Sequence, residues 1–217
     1  MPKIFIAGDS TAAIKLEEKR PESGWGEFLA DFISPYLEVR NFAQNGRSSK
    51  SFIEEGILDQ IDKEITKDDY LLIQFGHNDE KKDDPKRYTT AYGTYQENLL
   101  KLILTARRHE AIPILITSIT RRRFIDKEYI DPNALGEYPM AMLDVAKKYD
   151  VLYIDMFKIS QKLLQDLGDG GSRQLFMHFK PNESKNYPNG LEDNTHFNPY
   201  GAKMMASIIA QELKKII

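Results

Sequence analysis

Four short polar segments, far apart in the chain, together hold the residue types that acyl transfer through a serine requires. They supply a hydroxyl nucleophile, donors for an oxyanion, and a histidine base with a nearby carboxylate. Each segment follows an apolar run or precedes a helical pattern, so an α/β fold would gather all four at one edge of its sheet. The segments are Gly8-Asp9-Ser10-Thr11, Asn45-Gly46-Arg47-Ser48, Gly76-His77-Asn78-Asp79 and Asp193-Asn194-Thr195-His196.

Ser10 is the candidate nucleophile of this set. It follows the apolar run Ile4-Phe5-Ile6-Ala7, so the first strand should end just before it and leave its hydroxyl at the carboxyl edge of the sheet. A serine hydroxyl is scarcely ionised at neutral pH and needs a base to accept its proton. Taken alone, a serine at a strand end is more often a turn or capping residue.

His196 is the candidate base, and Asp193, three residues earlier, is the candidate carboxylate that orients it. A short loop can fold this carboxylate onto one ring nitrogen, which fixes the tautomer and leaves the other nitrogen to face Ser10. By itself, such a pair more often makes a turn with a packed histidine. A metal site is weaker still, because no further His or Cys cluster supplies the remaining ligands.

Three groups are candidate donors for an oxyanion hole: the backbone N–H groups of Ser10 and Gly46, and the side-chain amide of Asn78. Glycine at position 46 permits an unusual backbone conformation and a close approach by substrate. Asn78 follows the run Ile73-Gln74-Phe75-Gly76, and its amide would face the developing charge, where one donor contributes about 3 kcal/mol. Each residue also suits an ordinary turn, but complementary roles in four segments favour an active site.

The elements that must position these residues alternate between short apolar runs and longer helical patterns, which predicts an α/β fold with a parallel sheet. The run Leu71-Leu72-Ile73 is continuously apolar, as is typical of a strand covered on both faces. The strand–Gly-x-Ser-x-Gly elbow of the α/β-hydrolases is absent, so a different serine-hydrolase fold is expected. We predict strands over Lys3–Ala7, Leu37–Phe42, Tyr70–Phe75, Ile112–Thr117 and Val151–Ile154.

Helical patterns fill most of the intervals between these strands. Asp131-Pro132 and Asn198-Pro199 each place a capping side chain before a proline suited to the first helical position. Residues 168–190 are rich in Gly, Pro and Asn, and we interpret them as a loop that forms one wall of the site. The predicted helices are Trp25–Ile33, about Tyr95–His109, Ala134–Tyr149, Met156–Leu167 and Tyr200–Ile217.

Composition limits the classes of function and partner. The 217 residues suit a single domain, 1–217. With 30 basic and 33 acidic residues the net charge is −3, which lacks the cationic excess typical of nucleic-acid binding. The absence of cysteine excludes disulfides, thiol catalysis and thiolate metal sites. Without a secretory signal pattern or a membrane-length apolar stretch, we expect a cytoplasmic protein that does not associate with membranes.

The chain resembles the SGNH (GDSL-type) hydrolases, in which these segments occur in the same order. That family is named for a Ser, a Gly, an Asn and a His, represented here by Ser10, Gly46, Asn78 and His196. The resemblance implies a three-layer α/β/α, flavodoxin-like fold with a five-stranded parallel sheet. It also implies an acyl-enzyme on Ser10, with no cofactor or metal. The first segment reads Gly-Asp-Ser-Thr where many relatives read Gly-Asp-Ser-Leu, a departure that touches no catalytic atom.

A narrower similarity connects the chain with the rhamnogalacturonan acetylesterase branch of that family. It implies removal of O-acetyl groups from pectin-derived oligosaccharides. Two alternatives stay open: another family esterase acting on lipids, thioesters or acetylated xylan, and a noncatalytic carbohydrate-binding protein. The segments that carry the similarity are Gly8 to Thr11, Gly24-Trp25-Gly26, Asn45 to Ser48, Phe75 to Asp79 and Asp193 to Asn198.

Three residues near these segments are candidate substrate ligands. His77 could touch substrate, although bracing of the turn is the favoured interpretation, and Arg47 adjoins Gly46. Arg122 lies in the run Arg121-Arg122-Arg123 after the fourth strand, at the same sheet edge as Ser10. Because galacturonate is a carboxylate sugar, one arginine of this run could bind it through a bidentate, charge-assisted contact. A solvated basic run is an equally good interpretation.

Overall fold

The computed structural model describes residues 1–217, and its centre is a parallel sheet of five strands. The chain forms nine strands, five of them in this sheet and the others in two small hairpins: β1 (Lys3–Gly8), β2 (Glu38–Asn41), β3 (Tyr70–Gln74), β4 (Ile112–Ile116), β5 (Phe124–Ile125), β6 (Tyr129–Ile130), β7 (Leu152–Ile154), β8 (Phe176–Phe179) and β9 (Leu191–Phe197). The central sheet has the order β2-β1-β3-β4-β7. All five central strands were predicted, and each boundary lies within one residue of the expected position.

Six helices cover the two faces of the sheet, which confirms the predicted three-layer α/β/α architecture. They are α1 (Ser49–Glu54), α2 (Ile57–Glu64), α3 (Gln96–Arg108), α4 (Tyr138–Lys148), α5 (Met156–Ser172) and α6 (Pro199–Leu213). Helices α1 to α4 pack on one face, and α5 and α6 pack on the other. None of the helices combines the length and the apolar character that crossing a bilayer requires.

Successive side chains of each central strand enter opposite hydrophobic cores, because a strand alternates its faces with a period of two. Phe5 and Leu71 join the core beneath α1 to α4, whereas Ile4 and Leu72 join the core beneath α5 and α6. All four side chains are fully buried. Burial on both faces explains why the strands read as apolar runs without a polar alternation.

The sheet register brings three of the four polar segments to one edge. Gly8 at the end of β1 pairs with Gln74 at the end of β3, and Ile6 pairs with Asn41 at the end of β2. Because the three strands are parallel and adjacent, the turns that follow them leave the sheet side by side. Residues 8–11, 45–48 and 76–79 therefore lie next to one another.

The helix predicted over Trp25–Ile33 is wrong. The segment forms two short 3-10 turns, Trp25–Glu27 and Leu29–Asp31. Its backbone packs directly on the turn after β1: a Cβ atom on Gly26 would lie 2.5 Å from the carbonyl oxygen of Ala12. Trp25 and Leu29 are both fully buried and lie four residues apart, which is the spacing of one face of a helix. The close packing of this backbone on the turn after β1 leaves no room for a helix.

The interpretation of residues 168–190 as one long loop is also wrong. Helix α5 continues to Ser172 through a kink at Gly168, whose φ is +68°, and β8 then pairs with β9 as an antiparallel hairpin. Only the connection between these two strands is irregular. The last strand, β9, carries both Asp193 and His196.

Other predicted helix boundaries need smaller corrections. Helix α4 begins at Tyr138, and Asp131 instead closes a turn by accepting the backbone N–H of Asn133 at 2.7 Å. Helix α6 ends at Leu213, four residues before the predicted Ile217. Helices α1 and α2 were not predicted. The start of α6 was predicted correctly, with Asn198 as its N-cap and a proline at the first position.

We predict that Asn198→Ala lowers the free energy of unfolding by about 1–2 kcal/mol. Asn198 Oδ1 accepts the Gly201 N–H at 3.0 Å, and its Nδ2 donates to the carbonyls of Gln174 and Phe176 at 2.8 and 3.1 Å. Asn198→Ser keeps a cap acceptor but loses both donors without placing a charge against the two carbonyls, so it should be intermediate in urea denaturation. An unchanged midpoint for Asn198→Ala would contradict the capping role.

Candidate active site

Ser10, His196 and Asp193 form a continuous line of hydrogen bonds across the molecule. The Ser10 hydroxyl donates to His196 Nε2 at 2.9 Å, although the two residues lie 186 positions apart in the chain. His196 Nδ1 donates to Asp193 Oδ2 at 2.7 Å. This geometry lets the imidazole accept the serine proton while the carboxylate holds the ring in the required tautomer.

Asp193 is held as an anion by its own strand. Its Oδ1 accepts the backbone N–H groups of Thr195 and His196 at 2.7 and 2.9 Å. Partial burial alone would raise its pKa, but the His196 ring and these two N–H groups outweigh it and lower the pKa to about 2. Asp193 is therefore ionised at neutral pH and can stabilise a protonated His196.

The three groups expected to form an oxyanion hole each keep an N–H that no protein acceptor takes up. Gly46 has a φ of +76°, a left-handed conformation that favours glycine. Neither the Ser10 N–H nor the Gly46 N–H donates to an acceptor of the protein. Asn78 Nδ2 donates one hydrogen to the carbonyl of Arg47 at 3.0 Å and keeps a second for another acceptor. These groups have the chemistry of an oxyanion hole.

Lys15 connects the turn of Ser10 with the Gly46 segment, a role that the sequence did not indicate. Its side chain is fully buried, and its Nζ donates to the Ser10 carbonyl and to Asn45 Oδ1, the latter at 2.6 Å. Burial lowers the pKa of Lys15, and the ion pair with Glu22 at 2.8 Å opposes that shift. No motif surrounds Lys15 that could have revealed it.

His77 makes its contact inward. Its ring is 4% exposed, and Nδ1 donates to Asp9 Oδ2 at 3.1 Å. Burial alone would raise the pKa of Asp9, but His77 and the two hydrogen bonds from Thr11 lower it below its ordinary value. The residues before Ser10 and before Asn78 are thus joined to each other. This contact fits the bracing interpretation of His77 rather than a substrate ligand.

Asp79 ties the Asn78 turn to the helix that follows Gly46. Its buried carboxylate accepts from the N–H and hydroxyl of Ser49, the first residue of α1, and from the hydroxyl of Thr89 at 3.0 Å. Burial raises the pKa of Asp79 to about 7, although these hydrogen bonds oppose the shift. The carboxyl group is therefore close to its titration midpoint at neutral pH.

Arg122 is placed differently from a substrate ligand. Its side chain is 8% exposed, and its guanidinium donates to Ser172 Oγ, Asn194 Oδ1 and Asp169 Oδ1 at 3.1, 2.9 and 2.5 Å. Its backbone N–H also donates to the Asn194 carbonyl at 2.8 Å. Since Asn194 lies between Asp193 and His196, we interpret Arg122 as a residue that positions the catalytic strand.

The other arginines predicted near the site are also paired within the protein. Arg47 forms an ion pair with Glu55 at 2.7 Å. The neighbours of Arg122 form ion pairs as well, Arg121 with Glu80 and Arg123 with Asp131. Arg87 is paired with Asp84 and also donates to Asn78 Oδ1 at 3.3 Å. The sequence analysis did not single out Arg87, which lies in the charged segment 80–87, outside the four polar segments.

Comparison with known proteins gives this arrangement a context. The family model described as GDSL-like Lipase/Acylhydrolase matches residues 4–209. The rhamnogalacturonan acetylesterase RhgT of Bacillus subtilis (strain 168) is 43% identical over 214 residues, which cover 99% of this chain and 90% of the relative. The probable rhamnogalacturonan acetylesterase YesY of the same organism is 36% identical, covering 98% of this chain and 93% of the relative.

Solved structures share the fold at lower identity. The crystal structure of YxiM from Bacillus subtilis superposes with a TM-score of 0.79 at 24% identity, and covers 99% of this chain but 56% of the longer one. Axe2, an acetylxylan esterase from Geobacillus stearothermophilus, superposes with a TM-score of 0.65 at 19% identity, covering 98% of this chain and 94% of the other. At such identities the superpositions establish the architecture alone.

We predict that Arg122→Met lowers the free energy of unfolding by about 3 kcal/mol, because it leaves Asp169 and Asn194 without their buried partner. Arg123→Met provides a matched control, since it removes a half-exposed ion pair worth at most about 1 kcal/mol. Chemical denaturation of both variants measures the difference. Equal losses would contradict a special role for the buried guanidinium.

A second prediction concerns pH and Asp79. A carboxyl pKa that rises from 3.8 to about 7 on folding stabilises the protein below pH 3.8, and this contribution is lost as the pH rises through 7. Asp79→Asn does not titrate, so the stability of the unchanged protein should fall relative to this variant between pH 4 and 7. The free energy of unfolding of the unchanged protein, relative to that of the variant, should fall by at most about 1.4 kcal/mol per pH unit.

The measurement is urea denaturation of the unchanged protein and Asp79→Asn across that pH range. Asp166→Asn is the control, because Asp166 is exposed and pairs only with Lys162 on its own helix. Its pH dependence should follow that of the unchanged protein. A constant difference between the unchanged protein and Asp79→Asn would show that Asp79 does not titrate in this range.

Proposed function

The chain belongs to the GDSL-like lipase/acylhydrolase family, and on that basis we propose that it removes O-acetyl groups from pectin-derived rhamnogalacturonan oligosaccharides through an acyl-enzyme on Ser10. The chain is a carboxylic ester hydrolase. The observation that carries the catalytic part of the proposal is the 2.9 Å hydrogen bond between Ser10 Oγ and His196 Nε2. The substrate part rests on the relatives.

In the first half of the reaction, Ser10 Oγ forms a bond to the acetyl carbonyl carbon while its proton passes to His196 Nε2. The negative charge that develops on the carbonyl oxygen meets the N–H groups of Ser10 and Gly46 and the amide of Asn78. Asp193, with its pKa near 2, stabilises the resulting imidazolium. The bond from carbon to the sugar oxygen then breaks, and His196 returns the proton to the departing alcohol.

In the second half, water replaces the sugar alcohol. His196 removes a proton from this water as its oxygen attacks the acetyl group on Ser10, and the same three donors receive the oxyanion. The bond to Ser10 Oγ then breaks, acetate departs, and His196 reprotonates the serine. Atoms and charge balance over the cycle without a cofactor or metal.

The similarity to two proteins, one named a rhamnogalacturonan acetylesterase and the other a probable rhamnogalacturonan acetylesterase, supports the choice of sugar. The surroundings of Arg87, which contacts Asn78, are polar. A cavity of about 530 Å³ there is lined by charged residues and one proline: Lys81, Asp83, Asp84, Pro85, Lys86 and Arg87. Such a lining suits a polar substrate better than the apolar chain of a lipid. Acetylated xylan is the main rival substrate, because fold does not determine the sugar.

A noncatalytic carbohydrate-binding protein is disfavoured, because Ser10, His196 and Asp193 are all present and hydrogen-bonded in series. The cytoplasmic location expected from the sequence stays a prediction. If that location holds, the enzyme would meet imported pectin fragments rather than the intact polymer.

We predict that the protein releases acetate from acetylated rhamnogalacturonan oligosaccharides with a kcat/KM at least about tenfold above that for acetylated xylooligosaccharides, a difference of about 1.4 kcal/mol. Both kcat/KM values should exceed the kcat/KM for 4-nitrophenyl acetate, which lacks the sugar contacts. Acetate release and nitrophenolate absorbance measure the three reactions.

Ser10→Ala should abolish all three activities, with a loss of about 10³-fold or more. The exposed serine variant Ser34→Ala should retain them. Preference for xylan would overturn the choice of sugar and leave the esterase mechanism standing. Full activity of Ser10→Ala would overturn the mechanism itself.

A further inference from the structure

Arg87 contacts one of the three residues proposed to supply oxyanion donors and lies beside a second. Its Nη1 donates to Asn78 Oδ1 at 3.3 Å, and the same nitrogen lies 3.8 Å from the position that a Cβ atom on Gly46 would occupy. The residue belongs to the charged segment 80–87, outside the four motifs. Its function is not explained by the triad.

The contact with Asn78 determines which end of the amide faces which neighbour. A guanidinium donates hydrogen bonds and accepts none, so the Asn78 oxygen must face Arg87. At the other end of the same amide, Nδ2 donates to the carbonyl of Arg47, which can only accept. A flipped amide would set its NH₂ group against the guanidinium and its oxygen against the carbonyl. Two complementary neighbours therefore enforce one orientation.

Arg87 is itself held in place by a local turn. Its Nε donates to Asp84 Oδ2 at 2.5 Å, and its backbone N–H donates to the Asp84 carbonyl at 3.0 Å. The side chain is 31% exposed, so solvent reaches part of it. The anchored guanidinium can restrain Asn78 without itself being part of the buried core.

We propose that Arg87 is a positioning residue of the oxyanion hole, which holds the Asn78 amide with its remaining N–H directed at the developing charge. The proposal rests on the ester hydrolysis proposed above but not on the identity of the sugar. Arg87 acts through Asn78, so its effect should appear in the turnover step rather than in the binding of the ester.

The direct test is a double-mutant cycle on 4-nitrophenyl acetate, a neutral ester that offers no carboxylate to a cation. Asn78→Ala should lower kcat by about 10²-fold or more. Arg87→Met should lower kcat by about tenfold with KM changed less than about twofold, and Arg87→Lys should recover part of the loss. In the Asn78→Ala background, Arg87→Met should change kcat less than about twofold.

Lys82→Met is the matched control, because Lys82 is an exposed cation five positions away in the same segment. It should leave kcat and KM unchanged. Thermal unfolding of each variant verifies folding, and Arg87→Gln replaces Arg87→Met in the cycle if the methionine variant does not fold.

Three outcomes would overturn the proposal. A full tenfold loss in the Asn78→Ala background would show that Arg87 acts without Asn78. An effect confined to KM for galacturonate-containing oligosaccharides would make Arg87 a carboxylate ligand instead. No effect of Arg87→Met on any ester would make Arg87 a surface residue.

The two proposals can fail separately. If the unchanged protein fails to hydrolyse only acetylated rhamnogalacturonan, the choice of sugar alone is wrong. If it hydrolyses no ester, both proposals are wrong.

Discussion

Buried ionisable and polar side chains are the constraint on which the site depends. Such a side chain destabilises the fold when it leaves water unless it finds partners, and here the partners lie in other segments of the chain. Lys15 joins the Ser10 turn to Asn45, Asp79 joins the Asn78 turn to α1, and Arg122 joins the segment after β4 to Asn194. Satisfying these groups sets the relative positions of the loops. The hydrogen bond between Ser10 and His196 follows from that arrangement.

The same constraint explains why the polar segments contain more residues than the chemistry uses. In each of two segments, a bracing residue directly precedes one that we propose takes part in the reaction: Asp9 precedes Ser10, and His77 precedes Asn78. The bracing side chains bind each other in the interior. The segments therefore combine the reacting group with the contact that orients it, and their length reflects structural as well as chemical requirements.

The central sheet could be predicted, and the candidate site residues at its edge could be proposed, because their signals are local. The run Tyr70 to Phe75 predicts a strand, and parallel strands must present their carboxyl ends together. The hairpin of β8 and β9 gave no such signal. Its first strand lies within residues 168–190, whose Gly, Pro and Asn content is typical of a loop. In sequence, Arg122 suits a substrate ligand or a solvated basic run, and only the structure reveals its acceptors on Ser172 and Asp169. The contact of Arg87 with Asn78 likewise has no sequence signal.

Rigid support of the reacting groups leaves substrate choice to the walls around them, since a shared fold does not determine the acyl acceptor. One of these walls, the β8 and β9 hairpin, is not independent of the chemistry. His178 on β8 donates to Asn194 Oδ1, the same oxygen that receives Arg122, and Asn194 lies between Asp193 and His196. A sugar bound against β8 would therefore act, through these hydrogen bonds, on the strand that orients the base. In such a site, contacts with distant parts of the oligosaccharide can alter turnover as well as affinity.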